Sequence, residues 1–234
     1  MFMKGRFIIK GDVHGDIDQI IDFIERFDLG DGDNIIILGD FGLFWRKDKK
    51  DAEMNIKFYE ENCNGVHLYW LDGNHENFDI INSWSCNRYN IYNNSAHIHY
   101  CPRGFETLIE LQDGNFKKVL FMGGADSVDK YRRTEHLTWW RDEKITDKDI
   151  QGISGHYDYV FTHCCPLSVF KNNMVYLCTL SNLNQDNVIH DSEEKLEELI
   201  NNITYNKLFF GHYHIDKKLD DKHICLYNDF VELN

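Results

Sequence analysis

The feature that most constrains this chain is a recurring pair, a short apolar run followed at once by a polar cluster. Runs at residues 6–10, 34–38, 66–71, 119–122, 157–162 and 207–210 are dominated by apolar residues, several of them rich in β-branched or aromatic types. Short runs that are apolar throughout, rather than alternating, read as strands buried on both faces of a sheet. Between the first two, Ile17, Ile20, Ile21, Ile24 and Phe27 recur at helical spacing, with Asp16 and Asp18 in the first turn and Gly30 placed as a stop. The chain therefore opens with a β-α-β unit, and an α/β class follows.

A second amphipathic helix is expected over residues 191–201, where Asp191 with Glu194 fits a capping box and Leu196, Leu199 and Ile200 form the apolar face. Residues 89–111 read as short strands and turns, and residues 108–119, around Asp113-Gly114, as a hairpin. No linker, repeat or low-complexity tract divides the 234 residues, so residues 1–234 are expected to form one domain. A hydrophobic fraction of 42% with only 2 Pro suits a packed globule and excludes a disordered chain. No apolar stretch approaches the ~20 residues of a membrane span, and the opening MFMKGRFIIKGD lacks a signal-peptide pattern. The expectation is a cytoplasmic protein without a membrane partner. Seven Cys, with Cys164 and Cys165 adjacent, cannot all pair within the chain and read as reduced, mostly buried thiols.

The polar clusters stand at the strand ends in the order Gly11-Asp12-Val13-His14-Gly15, Gly39-Asp40, Gly73-Asn74-His75-Glu76, Thr162-His163 and Gly211-His212-Tyr213-His214. Open α/β sheets bind their ligands at that edge. Asp12 and His14, two apart on an extended chain, project to one side, and His212 with His214 repeats the arrangement. The donors are carboxylate, imidazole and amide with no thiolate, a set that suits Mn²⁺, Fe²⁺, Zn²⁺ or Mg²⁺. A carboxylate shared by two such ions about 3.5–4 Å apart makes a clamp for in-line displacement at phosphorus, with a bridging hydroxide as nucleophile.

This order of clusters resembles the calcineurin-like metallophosphoesterase superfamily, whose pattern is Asp-x-His, Gly-Asp, Gly-Asn-His-Asp/Glu, a lone His, then Gly-His-x-His. The match runs from Asp12 to His214. The resemblance implies a two-sheet β-sandwich flanked by helices. It implies two divalent ions, Mn²⁺ first, one held by Asp12, His14, Asp40 and His214 and the other by Asp40, Asn74, His163 and His212, with Asp40 as the bridge. His75, next to Asn74, becomes the candidate general acid or stabiliser of the charged transition state. Glu76 reads equally as an orienter of the loop or of a ligand, or as one half of a structural salt bridge.

The chain also departs from two branches of that superfamily. Phosphoprotein phosphatases continue Gly-Asp-x-Val-Asp-Arg-Gly, whereas here Leu43 and Phe44 stand in place of the Asp and Arg. Leu43 also occupies the position of the metal-binding Tyr of purple acid phosphatases. After the fourth run, residues 123–133 offer a small-residue turn and a cation cluster. Arg132 and Arg133 are candidate phosphate clamps there, Trp139 and Trp140 candidate base platforms, and Arg88 and Arg103 lesser candidates. His67, His97, His99, His136, His156, His190 and His223 match no motif. The expected activity is metal-dependent hydrolysis of a phosphodiester or a nucleotide phosphate. A phosphoprotein phosphatase is the runner-up and a non-catalytic scaffold the third reading. With 25 cationic and 39 anionic residues, a net charge of −14, duplex nucleic acid is not an expected partner, and a phosphorylated small molecule or nucleotide is.

Overall fold

Alternation along the buried strands sets the architecture. The computed structural model describes residues 3–45, 49–177 and 191–233. The first sheet has the order β13 (Phe230–Glu232), β2 (Phe7–Lys10), β3 (Asn34–Ile37), β4 (His67–Trp70), β6 (Ile98–Tyr100), β5 (Tyr92–Asn93), and its central strands β2, β3, β4 and β6 run parallel. The second has the order β1 (Met3–Gly5), β7 (Phe105–Leu111), β8 (Phe116–Met122), β9 (Gly155–Thr162), β10 (Ile203–Phe210), β12 (His223–Cys225), β11 (Lys217–Lys218), with β8, β9, β10 and β12 parallel. These two mixed sheets, faced by helices, are the expected sandwich.

Because successive side chains point to opposite faces, each strand feeds two cores. Ile9, Ile36, Leu38, Tyr69, Phe121, Phe161 and Phe209 fill the layer between the sheets. Ile8, Ile35, Ile37, Leu68 and Trp70 point the other way, onto α1 (Ile17–Arg26), α2 (Lys49–Asn62) and α3 (Phe78–Ile81). On the far side Leu120, Met122, Val160, Leu208 and Phe210 pack with residues of α5 (Leu167–Asn172), α6 (Met174–Leu177) and α7 (Asp191–Asn202), while α4 (Asp147–Ile150) touches α7. Burial on both faces is why these strands read as continuous apolar runs.

The local expectations hold with corrections. β8, β9 and β10 begin earlier than their apolar runs, at Phe116, Gly155 and Ile203, because their first halves carry exposed or half-exposed residues such as Lys117, His156 and Thr204. The hairpin is β7–β8, which pair antiparallel. α1 stops at Arg26 rather than near Gly30. Asp28 takes the left-handed conformation (φ 50°), Leu29 N–H bonds Ile24 O, and Gly30 N–H bonds Asp33. In α7, Asp191 is already helical and ion-pairs with Lys144, so it does not serve as the cap; the Ser192 N–H goes to Asp126 Oδ2 instead. Six cysteines are free, five of them buried, while Cys178 and His190 lie outside the described residues.

Candidate metal centre

All five clusters arrive at one edge of the sandwich, because β2, β3, β4, β9 and β10 deliver their carboxyl ends there. The loops after them are stitched to one another by backbone groups. Asp40 O accepts from Val13 N (3.1 Å) and His14 N (2.8 Å), and Gly15 N donates to Phe41 O at 2.7 Å. Asp40 Oδ1 accepts from His75 N at 2.7 Å, and Asp12 Oδ1 from His212 N at 2.9 Å. Asp12 and His14 do not sit on extended chain as expected, since β2 ends at Lys10 and His14 is left-handed (φ 53°). Asp40, His212 and His214 share that conformation at 45°, 67° and 52°. Non-glycine residues held there are strained, and such strain gathers at functional sites.

Close approach adds a second constraint. A Cβ on Gly73 would collide with Asp40 Oδ1 and N, and would stand 2.7 Å from His163 Nε2. Gly73 thus lets the β4 loop lie directly against the Asp40 carboxylate.

Three donor groups result, each with its atoms within 4.8 Å of one another: Asp12, His14 and His214; His14, Asp40 and His75; Asp12, Asp40 and His163. His14 Nε2 lies 3.0 Å from His214 Nε2, and Asp12 Oδ2 lies 3.1 Å from His214 Nε2. Asn74 Oδ1 joins the buried side, 3.2 Å from His163 Nε2. The ring of His212 packs edge-on to His163 with centroids 5.0 Å apart, beside the three groups rather than within them. Secondary contacts fix the imidazoles: His163 Nδ1 donates to Leu38 O (2.7 Å), and His214 stacks on Tyr227 at 4.5 Å. These orient the opposite nitrogens into the site, the usual support of a metal-ligating histidine.

The electrostatics call for cations. Asp12 and Asp40 are each only 2% exposed, and Asp12 Oδ2 is enclosed without hydrogen-bond geometry to any partner. Burial pushes the Asp40 carboxyl up, but the facing His163, His75 and His14 outweigh it and hold it well below the usual carboxylate range. His163 shows the reciprocal effect: burial lowers it, yet Asp40 raises it to about 9. Its Nε2 proton sits between Asn74 Oδ1 and Asp40 Oδ1, where a divalent ion would otherwise meet the same atoms. His212, lowered to about 3 by burial and by His163, keeps its lone pair. The residues present therefore fit divalent ions.

Around this centre the remaining candidates separate. Arg133 Nη2 lies 2.8 Å from His75 Nε2, its Nε pairs with Asp129 at 2.6 Å, and its guanidinium covers Trp45. Arg132 is exposed and lies over Tyr131 instead. Neither Trp139 nor Trp140 is a base platform, because both are buried. Lys130 covers the Trp139 ring at 4.2 Å, and Trp140 packs edge-on against Trp45. Arg103 is locked to Asp72 (2.6 Å), and Arg88 to Gln151 O. Glu76 ties the loop after β4 to the loop after β3, accepting the Gly42 N–H at 3.1 Å, and burial followed by the Asp40 charge pushes its carboxyl well above the usual range. The aromatic wall that sequence reasoning missed is Trp45, which with His14, Leu43, Met54, Asn55 and His75 lines a cavity of about 530 Å³ beside α2.

Two outcomes follow. Gly73→Ala should fold yet displace Asp40, and Mn²⁺ affinity should fall at least about tenfold, in the range seen when a ligand loses its support; parental affinity with a parental circular dichroism spectrum would contradict the close approach. Binding at His163 must expel its proton, so affinity should climb about tenfold per pH unit between about pH 7.5 and 9, then level off above about 9. Mn²⁺ titrations at fixed ionic strength measure this, and a flat profile across that window would exclude displacement of the His163 proton.

None of the curated proteins matches the chain. A sequence model described as calcineurin-like phosphoesterase matches residues 5–216, a span that takes in every cluster from Asp12 to His214. With the two-sheet fold, the ligand edge and the extent of that match in agreement, the chain belongs to the calcineurin-like phosphoesterase family.

Proposed function

We propose that the chain is a binuclear metal-dependent phosphoesterase acting on a phosphodiester or nucleotide phosphate, as one domain over residues 1–234 in a cytoplasmic setting. Asp12, His14, Asp40 and His214 hold one ion, and Asp40, Asn74, His163 and His212 the other. The observation that carries this reading is the attitude of Asp40. Its Oδ1 faces His163 Nε2 at 3.3 Å, and its Oδ2 faces His14 Nδ1 at 4.0 Å, so one carboxylate serves two donor groups. Divalent ions, Mn²⁺ above Fe²⁺, Zn²⁺ or Mg²⁺, supply charge to the phosphoryl oxygens and acidify a water into a nucleophile.

The chain's own residues supply the rest. Arg133 offers a planar fork for two phosphoryl oxygens, while Arg132, turned away over Tyr131, is left out. His75 stabilises or protonates the leaving oxygen. Without substrate its Nε2 accepts from Arg133, and burial together with that cation lowers its pKa. A phosphoryl group that draws Arg133 away frees Nε2 to take a proton. The leaving group occupies the cavity of about 530 Å³ beside Trp45. Leu43 and Phe44 argue against phosphoprotein substrates, because they stand where that branch has its Asp and Arg, and Phe44 is buried with its ring stacked on Trp70 at 5.8 Å.

A substrate panel with Mn²⁺ tests the class. Diester or nucleotide kcat/KM should exceed that for a phosphopeptide, and Asp40→Asn should abolish both. A phosphopeptide ahead by about tenfold, ~1.4 kcal/mol in transition-state binding, would overturn the assignment. His75→Ala should keep its metal and lose ~10²–10⁴ in kcat, less for a nitrophenolate leaving group. Arg133→Ala should lower kcat/KM while Arg132→Ala leaves it unchanged, and equal effects of the two would remove Arg133 from the site.

A further inference from the structure

We propose that Glu143 is a positioning residue for the metal centre, acting through Ser127 to fix which way the Asn74 side-chain amide points. The inference rests on the reading of Asn74 as a ligand. Glu143 is 1% exposed, and its carboxylate accepts three donors: Ser127 N at 2.7 Å, Trp139 Nε1 at 2.8 Å and Ser127 Oγ at 2.8 Å. A serine hydroxyl has one proton. With that proton given to Glu143 Oε2, Ser127 Oγ can only accept from its other neighbour, Asn74 Nδ2, at 3.4 Å.

The amide nitrogen is thereby held toward Ser127, and Oδ1 is turned toward His163 Nε2 and the cation site. The opposite rotamer would set two acceptors against each other at Ser127 and point an NH₂ group at bound cations. An asparagine amide has no intrinsic preference between its two ends, so the direction comes from the buried carboxylate two links away.

The frame around this relay is rigid. Gly124 N bonds Asp72 O, Ala125 N bonds Glu143 O, and Arg103 spans Asp72 Oδ2 and Glu143 O. This gives residues 123–143 a second task beside Arg133. Their small-residue turn and Trp139 build the relay instead of a substrate wall.

Glu143→Gln is nearly isosteric and reverses the relay. Its Oε1 must still accept from Ser127 N and Trp139 Nε1, so its NH₂ faces Ser127 Oγ. The serine proton then turns to Asn74 and draws Oδ1 away from the ions. Titration calorimetry with Mn²⁺ alone, with Co²⁺ absorption as a second readout, measures the result. Burial pushes Glu143 up to about 7, so the titrations belong above about pH 8, where it is ionised.

Glu143→Gln should weaken the ion on the His163 side by about 10–100-fold, the range for support of a ligand. Adding Ser127→Ala to Glu143→Gln removes the misdirected proton and should recover part of that loss. Parental binding by Glu143→Gln, or a double variant that binds no tighter than Glu143→Gln, would overturn the proposal. Asn74→Ala separates the two levels: parental metal binding there would remove the ligand reading itself, and the inference with it.

Discussion

Two carboxylates buried side by side govern this molecule. Asp12 and Asp40 are almost fully withdrawn from water, and an uncompensated buried anion costs several kcal/mol. Part of the compensation is in the chain: the N–H groups of His212 and His75 donate to them, and His163 gives Asp40 an imidazolium partner. Asp12 Oδ2 has His214 Nε2 at 3.1 Å, but outside hydrogen-bond geometry. The remaining deficit is positive charge at a point ringed by nitrogens, which is the electrostatic definition of a cation site.

The rest of the fold serves that arrangement. Donors with 200 residues between them in sequence, such as His14 and His214, can face each other only if their strands end at a common edge. The parallel cores of both sheets provide it. Their loops then turn within two to four residues, through left-handed His14, Asp40, His212 and His214, each costing of order 1 kcal/mol or more. Three packed layers of apolar side chains, on and between the sheets, hold the strand ends firmly enough to keep that strain in place.

What the sequence makes legible follows from the same physics. Strands buried on both faces appear as apolar runs, and donor clusters recur at their ends, so those strands, α1, the hairpin and the ligand edge can be read, while the two-sheet sandwich comes from the family resemblance those clusters carry. α2 escapes because its buried stripe, Ala52 and Tyr59, is thin and is masked by exposed Met54 and Phe58. β12 and β13 escape because three residues carry no period. The partners of the site are harder still. Arg133 against His75, Tyr227 on His214 and Glu143 behind Asn74 are 58, 13 and 69 residues apart and share no spacing rule, so only the tertiary fold brings them together.

Charge decides how a phosphoester can approach. A chain of net charge −14 repels an anionic substrate at long range. On the proposed two-ion reading, four positive charges beside Arg133 would outweigh the carboxylates of Asp12 and Asp40 and reverse the sign at the centre. That reversal is confined to about a Debye length, ~8 Å at physiological ionic strength, so the cleft attracts a phosphoryl group only when it already stands at the strand ends. On that two-ion reading, a phosphoryl group at the strand ends would meet a positive field while the net acidic charge of the chain stays repulsive farther out.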